Sequence, residues 1–282
     1  MTLLIVTPMH NEADNVDGIV ETLRAQTWQD FDWVVVDDGS TDGTAQALAR
    51  ADVEGRARVF SKQNDGGLIG GSAYTSWRFG VAHGFTLGDY THVMKLDADV
   101  RLAPDYLARV VPAATGDVGI SGGVIVSPGM VEQKVHVPGP VKLYTRAAWE
   151  ATTGMPSAVG FDVLDEMAVA EAGLRTVVDT GARFELARAI GASEGRVHGR
   201  FRNGRMCRWT GYSFPYFLLH AARYAGRSPR VVGSLAMLWG YARAGRGPYA
   251  PELRRAHARS HHRKLRAMVR NPLRFWSDTY RL

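Results

Sequence analysis

The sequence predicts an α/β fold, a mixed and mostly parallel sheet flanked by helices, followed by a basic helical C-terminal extension. Two observations lead there. Through residue 180, short β-branched runs alternate with longer stretches whose apolar residues recur at helical spacing. Past residue 200 the pattern turns helical and the charge changes sign. Residues 1–200 hold 17 Lys/Arg against 26 Asp/Glu, a balance of −9, whereas residues 201–282 hold 17 against 2, a balance of +15. The expected division is therefore a sheet domain over 1–200 and a basic, aromatic-rich extension over 201–282, with different partners.

Leu3 to Thr7 reads as a first buried strand. Asn15 to Gln26 carries a helical stripe at Val16, Ile19, Val20 and Leu23, and Trp33 to Val36 is the next strand. Thr44 to Ala51 repeats the helix, Ala57 to Phe60 is a short strand, and Ser72 to His83 is a helix after a glycine-rich loop. Val93 to Leu96 follows as a strand, Pro104 to Val111 as a helix, and Val118 to Val126 as one or two strands. Ser127 to Pro140, with three prolines, reads as loop. Val141 to Ala151 and Asp165 to Ala172 read as helices, the second stopped by Gly173, and Thr176 to Val178 as the last strand.

A chain of 282 residues, 45% of them hydrophobic, can bury a full core without cross-links. Cys207 is its only cysteine, which excludes an intrachain disulfide and points to a reducing compartment. The apolar start lacks a basic leader, and Glu12 and Asp14 follow too soon for a signal peptide. No apolar run reaches the ~20 residues that cross a bilayer, so a cytoplasmic protein is expected, peripheral on the inner face of the membrane if the basic extension lies there.

Three acidic constellations carry the chemistry. In the first, the apolar run Val34-Val35-Val36 ends in Asp37-Asp38 and turns through Gly39-Ser40-Thr41-Asp42. Capping of the next helix accounts for Asp42 or Ser40. It does not account for two carboxylates at a strand end, where open α/β sheets bind ligands. In the second, Lys95-Leu96-Asp97-Ala98-Asp99, two acids separated by one residue again follow a strand. Hard oxygen donors there suit a divalent cation that would offset a diphosphate's charge. In the third, Gly160-Phe161-Asp162-Val163-Leu164-Asp165-Glu166 opens a helix. Its acids could complement the helix dipole, serve as a general base, or do both.

Together with Pro8, Asn11 and Glu12 after the first strand, these segments resemble family 2 glycosyltransferases of GT-A fold, over about residues 2–180. The resemblance implies a catalytic domain over 1–200 that transfers a sugar from a nucleoside diphosphate, with inversion, to an acceptor hydroxyl or lipid phosphate in cell-surface glycan or glycolipid synthesis. It implies a nucleotide pocket formed by Thr7, Pro8, Asn11, Glu12, Asp38, Gly66, Lys95 and Asp97. The metal, Mg2+ or Mn2+, would sit on Asp99 with Asp97. The acidic helix start of the family lies about eleven residues before a glycine, and Asp162 has that spacing to Gly173; Asp165 is one turn on, with Glu166 as a supporting acid.

Two features depart from the family pattern. The loop Gln63 to Ser72 leads to Tyr74, Trp77 and Arg78 where an arginine and an asparagine are usual, and Arg183 to Arg188 lacks the histidine that many relatives place after the last strand. His198 is the nearest substitute, and Arg196, Arg200 and Arg202 beside it could instead meet a diphosphate. A glycosyltransferase-fold scaffold without turnover and a sugar-nucleotidyltransferase are the alternatives. The second would carry a glycine-rich basic signature where Pro8, Asn11 and Glu12 stand. In the extension, Trp209, Tyr212, Phe214, Tyr216 to Leu219, Leu235, Met237, Leu238 and Trp239 read as helix packing. The cluster from Arg254 to Arg270 reads as a surface for an anionic leaflet. No nucleic-acid signature is present, and nucleic acid is not an expected partner.

Overall fold

The computed structural model describes residues 1–51, 57–64, 72–126, 136–188, 195–226 and 228–272. Among these, one sheet contains β1 (Leu3–Met9), β2 (Phe31–Asp38), β3 (Ala57–Lys62), β4 (His92–Leu96), β5 (Val100–Leu102), β6 (Val118–Ile125), β7 (Val141–Thr145) and β8 (Arg175–Leu186), in spatial order β3-β2-β1-β4-β7-β6-β8-β5. The strands β3, β2, β1 and β4 are mutually parallel. β7 is antiparallel to both β4 and β6, and β8 runs parallel to β6 and antiparallel to β5. The interleaved helices are α1 (Val16–Arg24), α2 (Thr44–Arg50), α3 (Ser72–Gly84), α4 (Tyr106–Ala113), α5 (Arg146–Thr152) and α6 (Phe161–Glu171).

The parallel half follows from unbroken apolar runs. Every residue of β1 is buried, as expected of a central strand covered on both faces. Helix α3 lies tight on it: a Cβ at Gly80 would fall 2.5 Å from Val6 Cγ1 and 2.7 Å from Val36 Cγ2, so only glycine permits that approach. Being parallel neighbours, β1, β2 and β4 bring their carboxyl ends to the same end of the sheet.

Two compact units emerge: Met1–Ser157 with Val169–Ala187, and Ala158–Ala168 with Arg188–Arg281. The second contains α7 (Arg196–Trp209), α8 (Phe214–Tyr224), α9 (Arg230–Arg243) and α10 (Pro251–Arg270), together with the first turns of α6. Its core gathers Cys207, Phe217, Ala221, Met237 and Tyr241. Helices α7 and α9 touch backbone to backbone, since a Cβ at Gly204 would stand 1.9 Å from the Met237 carbonyl oxygen and one at Gly240 2.0 Å from that of Phe201. Burial raises the Cys207 thiol, leaving it an inert core group.

Three sequence expectations are corrected. Val141 to Ala151 is not one helix. Val141–Thr145 is a strand between β4 and β6, and the helix starts at Arg146, where the Thr145 side chain accepts from Ala148 N. Lys142 of that strand is buried opposite Lys95. The last strand is β8, twelve residues rather than three, so Arg183 to Leu186 lies within it. The third acidic helix begins at Phe161, not Asp165. The segment Ser127 to Pro140 lies mostly outside the described residues.

Candidate active site

At the carboxyl ends of β1 and β2 the loops are stitched together by short polar side chains. Asn11 adopts φ 55°, a left-handed conformation that asparagine tolerates. Its Oδ1 accepts from Thr41 N at 2.8 Å, and its own N–H donates to Ser40 Oγ at 3.0 Å. Glu12 N–H donates to Thr44 Oγ1 at 2.8 Å, and Ala13 N–H to Asp42 Oδ2 at 3.2 Å. Asp42 also accepts from Thr44 N and, by a short bond, from the Thr44 hydroxyl, which depresses its carboxyl below the usual range. Asp42 is therefore structural.

Asp38 is buried, and its Oδ1 accepts from Lys62 Nζ at 2.5 Å; its carbonyl accepts from His10 Nδ1 at 2.8 Å. Thr7 is fully buried, its hydroxyl accepting from Trp33 Nε1 at 2.9 Å, and Pro8 lies within β1 opposite Val36. These two shape the strand end from beneath. Gly66 lies outside the described residues, as does the loop from Asp65 to Gly71.

The Asp-x-Asp segment is a turn between β4 and β5. Ala98 is buried in the core and the flanking Asp97 and Asp99 are half-buried, so the apolar middle residue anchors a turn with a carboxylate on either side. Lys95, only 2% exposed, pairs with Asp97 Oδ1, donates to the Gly139 carbonyl at 3.1 Å and lies over the Tyr74 ring at 5.2 Å. Burial raises the Asp97 carboxyl above the ordinary range. Lys95 opposes that rise, while Asp99 and Glu12 add to it. Glu12 and the Asp-x-Asp turn therefore share one electrostatic field.

Among the described residues no three His, Cys, Asp or Glu side chains form a complete metal cage. A divalent cation shared with substrate phosphates requires only one or two carboxylates from the protein. Hard donors beside negative charge in need of compensation fit that group.

In the second unit, α6 opens after Gly160 at φ +88°, where a Cβ would meet Thr210 Cγ2 at 2.4 Å. Asp162, in its first turn, is half-buried. Asp165 is fully buried and accepts from Glu166 N at 2.6 Å. Glu166 is buried and attracts Lys264 of α10, whose ammonium burial holds below its usual range. The Tyr249 hydroxyl donates to the Ala158 carbonyl at 2.6 Å; burial raises its own ionisation first, and the charges of Asp162 and Asp165 raise it further.

Residues 4–155, more than half of the chain, match glycosyl transferase family 2. This chain is a family 2 glycosyltransferase. It is 32% identical over 130 residues to the polyprenol monophosphomannose synthase of Mycolicibacterium smegmatis, an alignment covering 45% of this glycosyltransferase and 46% of that enzyme. It thus spans about half the length of that curated relative. In fold it is similar to the mannosyltransferase PcManGT from Pyrobaculum calidifontis in complex with GDP-Man and Mn2+, with a TM-score of 0.59 at 21% identity over 97% of this chain and 82% of that one. It is also similar to S. aureus TarS 1-349 in complex with UDP-GlcNAc, with a TM-score of 0.54 at 17% identity over 74% and 66%. Those likenesses establish the GT-A architecture.

Several residues of the glycosyltransferase site had no sequence signal. Arg101 donates to the carbonyls of Ala98 at 3.1 Å and Val100 at 2.9 Å, and to Asn15 Oδ1 at 3.1 Å; Asn15 Nδ2 donates in turn to Glu12 Oε2 at 2.7 Å. The guanidinium lies over Gly18, where a Cβ would approach it to 2.3 Å. The chain of bonds ties the Glu12 loop to the Asp-x-Asp turn, and only the sequence distance between 15 and 101 hid it. Arg101→Met is expected to lower kcat/KM by about ten-fold, through KM for metal and donor rather than kcat, with partial rescue by Arg101→Lys. An unchanged KM would make the arginine merely a surface brace.

His198 stands exposed on α7, its ring 6.3 Å from Phe201. Arg200 covers the Tyr224 ring at 3.9 Å. In α3, Arg78 donates to the carbonyls of Thr152 and Met155 and Trp77 is buried, so both serve the packing of the sheet domain. No helix of the described residues is long and apolar enough to cross a membrane.

Proposed function

We propose that this glycosyltransferase moves a sugar, mannose first among the candidates, from a nucleoside diphosphate to a polyprenyl phosphate, inverting the anomeric carbon in one displacement. The observation that carries this is the Asp97-Ala98-Asp99 turn with Lys95 beside it, in a chain whose residues 4–155 match glycosyl transferase family 2 and which is 32% identical over 130 residues to a polyprenol monophosphomannose synthase. On this reading the domain over 1–200 is catalytic and the extension over 201–282 serves the acceptor side.

In this account Asn11 and Glu12 with Asp38 frame the nucleoside, and Thr7, Pro8 and Gly66 shape the pocket. Asp99, aided by Asp97, would hold Mg2+ or Mn2+, whose charge would offset that of the leaving diphosphate. Lys95 orients Asp97 and favours its ionised form against burial. An acceptor oxygen bonds to the anomeric carbon as the bond to the diphosphate breaks, and the electron pair leaves on the nucleoside diphosphate. Asp162 takes the acceptor's proton where it has one; Asp165 is the second candidate for that role.

The test is calorimetry of wild-type protein with GDP-mannose, UDP-N-acetylglucosamine and the parent diphosphates, with Mn2+ or with chelator, followed by transfer to a short polyprenyl phosphate. Metal-dependent binding of GDP-mannose and a mannosylated lipid product are expected. Binding of none of the donors, or release of pyrophosphate from a nucleoside triphosphate, would sink the reading.

A further inference from the structure

Helix α9 is apolar on more than one side. It buries Gly233, Ser234, Met237, Gly240 and Tyr241, in part against α7 through the glycine contacts described above. On its other side Val231, Val232, Leu235 and Trp239 are 58–60% exposed. Positions 231, 235 and 239 fall four apart, so they make one stripe along the helix. Reading these apolar residues as packing thus holds for Met237 but not for Leu235 or Trp239. A helix apolar all round is ordinarily covered all round, and a continuous exposed stripe of this kind marks a contact surface.

The charge around the stripe selects its occupant. Residues 195–251 contain no Asp or Glu, and all their Lys/Arg positions are arginine. Arg230 and Arg243 stand at the two ends of α9, and the Arg243 guanidinium lies over the Trp239 ring at 5.2 Å. A second copy offering the same face would set arginine against arginine without an acid between them. An anionic lipid leaflet supplies both complements: acyl chains for the stripe, and phosphates for the arginines and the indole edge.

We infer that α9 lies in the headgroup region of an anionic leaflet with Val231, Leu235 and Trp239 inserted, and that this face, rather than the basic face of α10, makes the apolar contact. The inference goes beyond the transfer reaction. Its readouts use neither donor nor acceptor, so it can fail or stand apart from the proposed activity.

The test uses the full chain with a fluorescent environment-sensitive label at Leu235→Cys, Cys207 being buried and unreactive. A matched label at Arg263→Cys reports on α10. With mixed phosphatidylglycerol–phosphatidylcholine vesicles the label at 235 is expected to brighten and to be quenched by brominated acyl chains, while the label at 263 is not quenched. Pure phosphatidylcholine is expected to bind far less. Val231→Ser combined with Trp239→Ser is expected to weaken vesicle partition by about ten-fold with an unchanged circular dichroism spectrum. Absence of vesicle binding overturns the inference, as does quenching at 263 with silence at 235. Concentration-dependent burial of the 235 label without lipid would hand the face to a second copy and overturn it equally.

Discussion

Asp99→Ala is expected to weaken donor binding in the presence of Mn2+ by about 100-fold or more, to the level that wild type shows in chelator. A diphosphate that approaches the turn meets the carboxylates of Asp99 and Glu12, which add to the rise that burial imposes on the Asp97 carboxyl. The nearby ammonium of Lys95 is committed to Asp97 and the Gly139 carbonyl. Loss of a group that merely supports a metal ligand costs about 10–100-fold in affinity, so loss of the ligand itself should cost at least that. The fold should survive, because the backbone carbonyl of Asp99, which accepts from Ala187 N at 2.7 Å, is retained in alanine. Asp97→Asn should behave differently. It strips the buried Lys95 of its counter-charge, so a stability loss of about 1–3 kcal/mol should accompany any loss of affinity. If Asp99→Ala bound donor as wild type does with Mn2+ present, the turn would not be the metal site.

Much of that argument was legible in the sequence, for an identifiable reason. Unbroken apolar runs fix β1, β2 and β4 as central parallel strands, and the residue after each run must then lie at the ligand-binding edge. Asn11, Asp38 and Asp97 accordingly lie at or just past the carboxyl ends of these strands. What stayed hidden depends on contacts distant in sequence. Val141–Thr145 reads as the start of a helix, and its pairing with β4, a strand much earlier in the chain, makes it a strand. Arg101 and Asn15 meet 86 residues apart. In the extension, composition could count apolar residues but not divide them between the two sides of α9. Met237 and Trp239 differ by two positions, which on a helix is enough to set one in the core and the other in solvent.

The third acidic motif can be resolved because its two aspartates differ in burial. Asp165 is wholly enclosed and accepts from Glu166 N; Asp165→Asn should appear first as a stability loss of about 1–3 kcal/mol. Asp162 is the more accessible of the two, and Asp162→Asn should spare both folding and donor binding. Its effect on transfer depends on what the acceptor oxygen carries. Toward a hydroxyl acceptor, a proton must leave as the new bond forms, and loss of the base should slow transfer by about 10²–10⁴-fold. A phosphate monoester has its second ionisation near pH ~6, so above that pH a polyprenyl phosphate brings its own oxyanion and the loss should shrink to about ten-fold or less. Below it the monoanion, with one oxygen protonated and a weaker nucleophile than the dianion, predominates, and the gap between wild type and Asp162→Asn should widen as pH falls. Single-turnover rates of both proteins from pH 5.5 to pH 8 would read this directly. A large, pH-independent loss would point to a hydroxyl acceptor; no loss at any pH would move the base to another residue.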